Sequence, residues 1–340
     1  MRAIQYIQIL QNKHRNSSLF IVLSVAVVLL LVLNIMVGSA TIAATDVLAV
    51  FIDEGQQVNN QIIFDFRMPK AITAVLAGAA LAVSGLMMQT LFRNPLADPY
   101  ILGVSSGAGL GVAVITLAAG IIPFLGNHSW SLIVAAIIGS LVILSLVLGV
   151  SFRVQSAVTL LIVGIMFGTI ASALIQILQH FGDAQALKQF VSWSFGNLTT
   201  VSWKHMHVLA PLITIGLLLA YFVHRRLDVL LLGDNYARGL GISIVQIRMY
   251  IILITALLAG SITAFTGPIA FVGVAVPHIV RGLFKTSSHA VLIPATAICG
   301  AILLLMCDLI AQLPSYTLPL NTVTSLFGAP VIMWILLRKK

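Results

Sequence analysis

Charged residues are scarce in this sequence. Asp, Glu, Lys and Arg make up 8% of its 340 residues, whereas hydrophobic residues make up 60%. A soluble domain carries about 25% charged residues, so a soluble chain of this composition would leave much apolar surface in contact with water. The composition therefore excludes an ordinary soluble protein. Apolar runs of about 20 residues recur along the chain, which indicates an all-α integral membrane protein.

Residues that carry chemistry are also few. No G-x-x-x-x-G-K-[ST] motif is present, which excludes a P-loop ATPase. The apolar runs hold almost no ionisable residue except Asp308, whereas ion- or proton-coupled carriers usually need several. A hydrolase inside the membrane would need a nucleophile and a base together. We therefore expect no catalytic residue and no cofactor. A secondary transporter remains the alternative, and a polytopic membrane enzyme is a more distant one.

Metal ligands and disulfides are equally sparse. Cys299 and Cys307 would lie about 12 Å apart on one helix, which is too far for a disulfide. His205 and His207 are spaced like a metal-binding pair but have no further ligand nearby, so no metal site is expected. The net charge of +9 does not predict nucleic-acid binding, because the basic residues are not clustered with aromatic residues.

Long apolar runs dominate what is present. Residues 1–18 are interpreted as a short cytoplasmic tail, and residues 19–38 as a retained first helix, with a signal peptide as the alternative. Residues 39–70 are polar and predict an outer loop. Nine further spans are predicted at 71–91, 100–120, 131–150, 157–178, 207–224, 247–266, 268–284, 290–313 and 322–337. Residues 1–340 then form a single transmembrane domain with about ten spans between residues 19 and 337.

The distribution of basic residues supports this topology. With both termini in the cytoplasm, 14 of the 18 Lys and Arg residues fall in inner segments and four in outer segments. The inner residues are Arg2, Lys13, Arg15, Arg93, Arg153, Arg225, Arg226, Arg238, Arg248, Arg281, Lys285, Arg338, Lys339 and Lys340. The positive-inside rule expects this bias.

The segment from Leu91 to Gly111, LFRNPLADPYILGVSSGAGLG, interrupts two apolar runs. Its two prolines, Pro95 and Pro99, stop a helix, because proline lacks an N–H and disfavours helix in the preceding residue. A new helix can begin at Pro99, and the glycines that follow are spaced by four, on one face of that helix. The segment therefore predicts a helix–break–helix hinge.

The same segment carries a family resemblance. NPLADPYILGVSSGAG resembles the signature of FecCD-type permeases, the membrane subunits of ATP-binding-cassette (ABC) importers for iron–siderophore, haem and cobalamin. The resemblance implies a type II ABC importer permease fold with an inverted repeat. It also implies a second permease subunit, identical or related, two cytoplasmic ATPase subunits and an extracytoplasmic substrate-binding (lipo)protein. The expected location is the bacterial cytoplasmic membrane, in contact with lipid, and the expected cargo is an iron chelate, with iron–siderophore first and haem or cobalamin as alternatives.

A second segment, RRLDVLLLGDNYARGLG at 225–241, mixes apolar and charged residues on the inner side. Its LLLGDNYARGLGI portion is similar to the L-G-x-x-x-A-x-x-L-G segment by which the family contacts its ATPase. The resemblance assigns ATPase coupling to Leu232, Gly233, Ala237, Arg238, Leu240 and Gly241. The alternative is a solvated loop with interfacial helices.

Two C-terminal segments extend the resemblance. GPIAFVGVAVPHIVR resembles G-x-I-x-F-V-G-L-x-x-P-H-x-x-R, and its His278 is expected to make a structural hydrogen bond rather than to bind a metal. Thr322 to Pro330 resembles V-T-x-x-x-G-x-P. The chain departs from the family at Asp308 and SYTLPLN, where the family often has Arg and E-L-P-x-G. That departure weakens any expected basic docking contact from this outer loop.

The outer and inner ends each carry candidate residues. Arg67-Met-Pro-Lys70 matches the family's R-x-P-R, which receives acidic residues of a binding protein; two cations flanking a helix start are the alternative. Short inner loops fall where the family closes its gate, at Asn94, Pro95, Leu96, Gln155 and Ser156. The predicted translocation pathway consists of Ser105, Ser106, Gly107 and Gly164, although such small residues more often pack helices together.

A motif that occurs twice in the sequence suggests an inverted repeat. Leu76-Ala77-Gly78-x-x-x-Ala82-x-x-Gly85 in the second span is repeated as Leu258-Ala259-Gly260-x-x-x-Ala264-x-x-Gly267 in the seventh, with opposite predicted polarity. Chance similarity between small apolar residues is the alternative.

Overall fold

The structure of the protein is a computed structural model that describes residues 2–38, 47, 57–118, 129–154, 156–313 and 317–337. In these ranges the regular structure is entirely helical. The helices are α1 (Arg2–Met36), α2 (Met68–Phe92), α3 (Val104–Leu117), α4 (Ser129–Ser151), α5 (Ala157–Phe181), α6 (Ala184–Ser194), α7 (Trp203–Phe222), α8 (His224–Leu231), α9 (Asp234–Gly239), α10 (Ile244–Thr255), α11 (Ser261–Thr266), α12 (Val272–Phe284), α13 (His289–Gln312) and α14 (Leu320–Leu337).

Seven helical stretches within the described residues are long and apolar enough to cross a membrane. They are Arg15–Met36, Asn59–Phe92, Ser129–Ser151, Ala157–Phe181, Trp203–Phe222, Ile244–Thr266 and His289–Gln312. Three shorter apolar helices are Val104–Leu117, Val272–Phe284 and Leu320–Met333. Nine of these ten elements coincide with predicted spans to within a few residues, whereas the second begins at Asn59 instead of residue 71. Length and composition alone support seven crossings. The count of ten and the cytoplasmic location of both termini therefore stay predictions.

Two segments predicted to lie outside the spans contain helix. The expected tail, 1–18, continues into the first span as part of α1. The expected outer loop, 39–70, is helical from Gln57, through a short helix and a π-helical turn at Ile62–Arg67, into α2. No helix breaker lies between Gln57 and Met68, and Pro69 occupies the first turn of α2, where its missing N–H is tolerated. Residues 39–46 and 48–56 lie outside the described residues.

The segments between helices lie at the two ends of the helix bundle, and contacts show which segments share an end. At one end, the Arg15 guanidinium donates to the Phe284 carbonyl (3.0 Å), and Arg281 donates to the Gln89 side-chain oxygen (2.6 Å). At the other end, the Trp203 indole donates to the Phe64 carbonyl (2.7 Å). The first end contains segments predicted to be cytoplasmic, and the second contains segments predicted to be extracytoplasmic. The predicted grouping of the segments is thus consistent with the packing.

Helix α2 is the centre of the bundle, because its residues from Ala77 to Leu91 are buried without interruption. It crosses α13 where Gly78 meets Gly300, and a Cβ on Gly78 would lie 2.2 Å from the Gly300 carbonyl oxygen. It crosses the start of α12 where Gly85 meets Gly273, with a corresponding distance of 1.9 Å. Small residues therefore allow backbone-to-backbone packing between these helices.

The crossing at Gly85 also explains the short helix α12. Gly85 lies in the inner half of α2, so α12 begins inside the bundle and not at its outer end. The preceding segment from Gly267 to Phe271 is non-helical and is held by the Tyr100 hydroxyl, which accepts a hydrogen bond from the Ile269 N–H (3.2 Å). Non-helical backbone at membrane depth is tolerated where protein surrounds it.

The predicted helix break between α2 and α3 is present, whereas its role as a hinge stays a prediction. Helix α2 ends at Phe92, and Arg93 follows with φ 46°, in the left-handed region. The Asp98 side chain then accepts from the Tyr100 N–H (2.8 Å) and starts a 3-10 turn at Pro99–Leu102. Helix α3 begins after Gly103, whose φ is 77°. The prolines and glycines of this segment therefore occupy the conformations that their chemistry favours.

Candidate functional site

The segment 225–241 forms two short helices at the inner end of the bundle, and we call it the coupling element. Helix α8 buries Leu227 and Leu230 and leaves its arginines exposed. Gly233 separates α8 from α9 with φ 108°, and no atom would lie within 4 Å of a Cβ at that position. Gly241 ends the element with φ 76°. Glycine at both positions relieves a backbone strain that other residues would incur.

The coupling element exposes large apolar side chains. Leu232, Tyr236 and Leu240 are 62%, 58% and 56% exposed, and Leu231 is also exposed. Contiguous apolar side chains at a polar, charged end of a membrane protein mark a surface for another protein. Arg238 is exposed beside them. Leu232, Arg238 and Leu240 are therefore exposed, and their contact with an ATPase stays a prediction.

Ala237 differs from the other candidate coupling residues in its burial. It was assigned with the coupling residues, but it is fully buried, and its carbonyl accepts from the Ile242 N–H (3.1 Å). Its side chain cannot touch a partner directly. Ala237 instead holds α9 against the bundle, so a large residue there would act by displacing the whole element.

A buried polar network fixes α8 to the bundle. Asp228 accepts from the backbone N–H of His289 (2.8 Å) and lies 2.7 Å from His289 Nδ1. His289 is fully buried at the start of α13, and its Nε2 lies 2.8 Å from the Thr90 hydroxyl on α2. One carboxylate therefore caps α13 and joins the coupling element to the two central helices.

A second carboxylate joins the coupling element to the inner loops. Asp234 pairs with Arg93, directly after α2, and with Arg248 on α10. The predicted gate residues follow Arg93: the Asn94 side chain accepts from the Leu96 N–H (3.0 Å), and Leu96 is exposed. Ser156 begins α5 by accepting from the Thr159 N–H (3.4 Å). Gln155 lies outside the described residues.

A cleft of about 390 Å³ opens between the hinge and the coupling element. Its walls include Arg93, Asn94 and Pro95 on one side, and Leu231 on the other. His278 and Arg281 also line it. The sequence predicted the hinge and the coupling element separately, whereas the structure brings them to the two sides of one cleft.

The outer cations Arg67 and Lys70 have internal partners. The Arg67 guanidinium, on a residue that is 7% exposed, donates to the carbonyls of Ile35 and Met36 (2.9 Å each) at the C-terminal end of α1. Lys70 pairs with Asp308 on α13 (3.0 Å), and their side chains are 16% and 5% exposed. The structure thus favours the alternative interpretation, in which these cations serve the helix ends. Docking of a binding protein at Arg67 and Lys70 stays a prediction.

The predicted pathway residues divide between packing and exposure. Gly107 packs on α4, where a Cβ would lie 2.5 Å from the Gly139 carbonyl oxygen, and Gly164 packs on the turn at Leu102. Ser105 and Ser106 are partly exposed. Gly107 therefore allows close packing of α3 on α4, and its part in a translocation pathway stays a prediction.

Helix α5 offers a polar surface that sequence analysis missed. It buries only Leu160, Gly164, Gly168 and Ala171, and the rest of the helix is exposed or partly exposed. Three small or amide side chains, Thr169, Ser172 and Gln176, are exposed on it at helical spacing. Ser106, Gly164, Thr169 and Ser172 share a cleft of about 320 Å³. The spacing of these polar residues within an apolar run was the available signal.

Comparison with known proteins identifies the family. A sequence profile of the FecCD transport family matches residues 26–338. The chain belongs to the FecCD transport family. Among its relatives are the vitamin B12 import system permease proteins BtuC of Salmonella typhi and of Citrobacter koseri, each 36% identical to it. The aligned regions cover 96% and 97% of this chain and 97% of each relative.

Solved structures agree with this assignment. The FecCD chain matches a metal-chelate type ABC transporter in an inward-facing conformation with a TM-score of 0.84 and 27% identity, over 95% of this chain and 99% of the other. It also matches PsaBC from Streptococcus pneumoniae, in complex with Fab, with a TM-score of 0.50 and 16% identity, over 84% and 94% of the two chains. The second likeness concerns the fold alone.

Family membership confirms part of the sequence interpretation. The FecCD chain is a multi-pass membrane protein of the ABC permease class, and permease subunits are not themselves enzymes. Iron–siderophore specificity is not supported, because the similar relatives are vitamin B12 permeases.

Within the described residues no group of three or more His, Cys, Asp or Glu side chains could hold a metal ion. His205 is buried, and its ring lies 3.1 Å from the Thr200 carbonyl.

Proposed function

We propose that this chain is the channel-forming subunit of an ATP-driven importer for a bulky metal chelate. Two permease subunits, identical or related, would form the channel in the bacterial cytoplasmic membrane. Two cytoplasmic ATPase subunits would drive it, and an extracytoplasmic binding protein would supply the cargo. The observation that carries the proposal is the coupling element, with exposed Leu232, Tyr236 and Leu240 beside a hinge that leads into the spans.

The coupling element is suited to a mechanical role. It has an apolar outer surface for a partner, and Asp228 and Asp234 join it to the helices and loops behind it. Displacement of the element by an ATPase would therefore reach the helices through short polar contacts. An interfacial helix that rests on lipid would not need these inward contacts. They support the coupling role over that alternative.

Helix α5 supports the proposal that a second copy completes the pathway. A helix that exposes most of its surface in lipid gains nothing from the stripe formed by Thr169, Ser172 and Gln176. Against a second subunit, the same stripe would line a channel with small neutral groups. Such a lining suits a large cargo that passes without tight binding, because each contact with it is weak.

The cargo class comes from the relatives. Vitamin B12 permeases match the chain over nearly its full length, and the structural neighbour is of metal-chelate type. We propose vitamin B12 or a ferric siderophore as the cargo, with haem as a further case. All three are metal chelates too large for an ordinary ion channel.

The test is uptake into cells that contain or lack this gene. Radiolabelled vitamin B12, several ferric siderophores and haem are offered separately, with ATP depletion and ion-gradient collapse as two arms. ATP-dependent loss of one cargo on deletion supports the proposal and names the cargo. Uptake that survives ATP depletion but ends with the ion gradients would establish a secondary transporter instead.

A paired variant tests the coupling element. Leu232→Asp combined with Leu240→Asp adds charge to the exposed surface without disturbing buried residues, and we expect the variant to reach the membrane but not to restore uptake. Leu232→Met with Leu240→Met keeps the surface apolar and should restore uptake. Equal uptake by both variants would remove the coupling role.

A further inference from the structure

Arg248 is an arginine buried at the inner end of the bundle. It lies on α10, is 4% exposed, and directs its guanidinium toward two other segments. One terminal nitrogen lies 3.3 Å from Asp234 Oδ2 in the coupling element, and the other donates to the Val154 carbonyl (3.3 Å) just before α5. Arg248 therefore bridges the coupling element and the loop between α4 and α5.

Asp234 extends the same bridge to the hinge. Its Oδ1 accepts from Arg93, the residue that ends α2 and precedes Asn94. A single carboxylate thus contacts cations from two segments, one of them buried. The three contacts join α9, the start of the hinge and the approach to α5, which are remote from one another in sequence.

The two ion pairs of Asp234, with Arg93 and with Arg248, differ in strength. Arg93 is 46% exposed, so water and salt screen its pairing with Asp234. Arg248 is buried, and a buried guanidinium that loses its counter-charge is strongly destabilised. Among the described residues, Asp234 is the carboxylate that pairs with it. The pair of Asp234 with Arg248 is therefore the stronger link, and Arg93 is the weaker one.

The coupling element is held in two different ways. Asp228 anchors α8 to the fully buried His289, whereas Asp234 attaches α9 to loops. Gly233 lies between the two helices with no neighbour near its Cβ position. Gly233 therefore separates a helix anchored to the buried core from one that Asp234 ties to the inner loops.

We propose that Asp234 is the positioning residue that transmits movement of α9 to both inner gate loops, through Arg248 to the loop before α5 and through Arg93 to the hinge. This inference rests on the proposed function. Asp234 would touch neither ATP nor cargo. Its role would be to make the positions of Leu96 and Ser156 depend on the position of the coupling element.

The first experiment measures ATP hydrolysis and cargo uptake in the same proteoliposomes, using the whole importer purified with its ATPase and binding protein. For Asp234→Ala we expect uptake to fall by about tenfold while hydrolysis is retained. For Arg93→Gln we expect a loss of about two- to threefold, because that pair is exposed. Asp234→Glu should recover most of the uptake. Gln246→Ala, an exposed change on α10, is the control and should behave as the wild type.

The outcomes separate this inference from the proposed function. A wild-type protein without ATP-dependent uptake contradicts the proposed function itself. If uptake by the wild type depends on ATP, and Asp234→Ala keeps the wild-type ratio of uptake to hydrolysis, only the inference about Asp234 is overturned. If Asp234→Ala does not reach the membrane, Asp234→Asn is measured in the same way, because it keeps the size of the side chain and removes the charge that pairs with Arg248 and Arg93; the same loss of uptake is expected.

A second measurement reports the loops directly. In a chain carrying Cys299→Ser, single cysteines replace Leu96 and Ser156, and their rates of modification by a maleimide are measured with and without a non-hydrolysable ATP analogue. We expect ATP to change both rates in the wild type and neither rate in Asp234→Asn. An ATP-dependent change of wild-type size in the variant would contradict the proposed transmission, whatever its stability.

Discussion

Replacement of Gly78 by Ala tests the central packing of the fold. A Cβ at Gly78 would lie 2.2 Å from the Gly300 carbonyl oxygen and 2.5 Å from its carbon, both of them backbone atoms that cannot rotate away. Ordinary contact begins at 3.4 Å, so α2 and α13 would have to separate by about 1.2 Å. Overpacking of this kind costs about 1–3 kcal/mol.

The effect is measurable as thermal stability in nanodiscs. A loss of about 1–3 kcal/mol lowers the Tm of a large domain by about 2–10 °C. Tryptophan fluorescence can follow the transition, because the chain has four Trp residues. Gly149→Ala is the matched control: no atom lies within 4 Å of its Cβ position on α4, so higher helix propensity should stabilise it by up to about 1 kcal/mol. A Tm of Gly78→Ala equal to or above that of Gly149→Ala would refute the proposed close crossing.

Three further substitutions test other contacts by the same measurement or by proteolysis. Lys70→Met should destabilise the protein by about 3–5 kcal/mol because it leaves Asp308 buried and unpaired, and Lys70→Met with Asp308→Leu should recover most of the loss; an equally unstable double variant would contradict the pairing. His289→Ala should cost about 1–3 kcal/mol, since it removes the ring partner of Asp228, and an unchanged Tm would exclude a stabilising network. Gly233→Ala should strain the element by about 1–3 kcal/mol at φ 108° and speed its cleavage by trypsin, whereas unchanged cleavage would exclude strain there.

The spans and the hinge were predictable because their signals are local. An apolar run of about 20 residues has few options other than a membrane helix, and proline ends a helix wherever it removes a needed N–H. The prediction failed where helix continues without an apolar signal, as in the polar residues before Met68. The eighth span was predicted to be short, at 268–284, but the start of α12 at Val272 could not be predicted. That start depends on the distant contact between Gly85 and Gly273, which no local pattern indicates.

The site was predictable in its position but not in its internal contacts. The coupling pattern includes the exposed Leu232 and Leu240 and the buried Ala237 alike, because a spacing does not specify which face of a short helix is covered. The role of all three in coupling stays a prediction. Arg67 was similarly taken for a surface cation. Its acceptors are the carbonyls of Ile35 and Met36, which terminate a helix far away in sequence. Backbone carbonyls of this kind cannot be recognised from the types of residue in a sequence.

The arginines at the predicted inner end have two roles. Their charge contributes to the predicted orientation in the membrane, and their side chains join separate segments of the chain. Orientation requires only positive charge near the inner ends, and Lys would supply it as well as Arg. Arg93, Arg248 and Arg281 nevertheless each donate to a named acceptor on another segment. Arginine presents several donors in a rigid fork, so one side chain can hold two segments at once, as Arg248 does with Asp234 and Val154. In the predicted topology, the charges that would direct insertion into the membrane are therefore the same groups that join these segments, at the end where an ATPase would act.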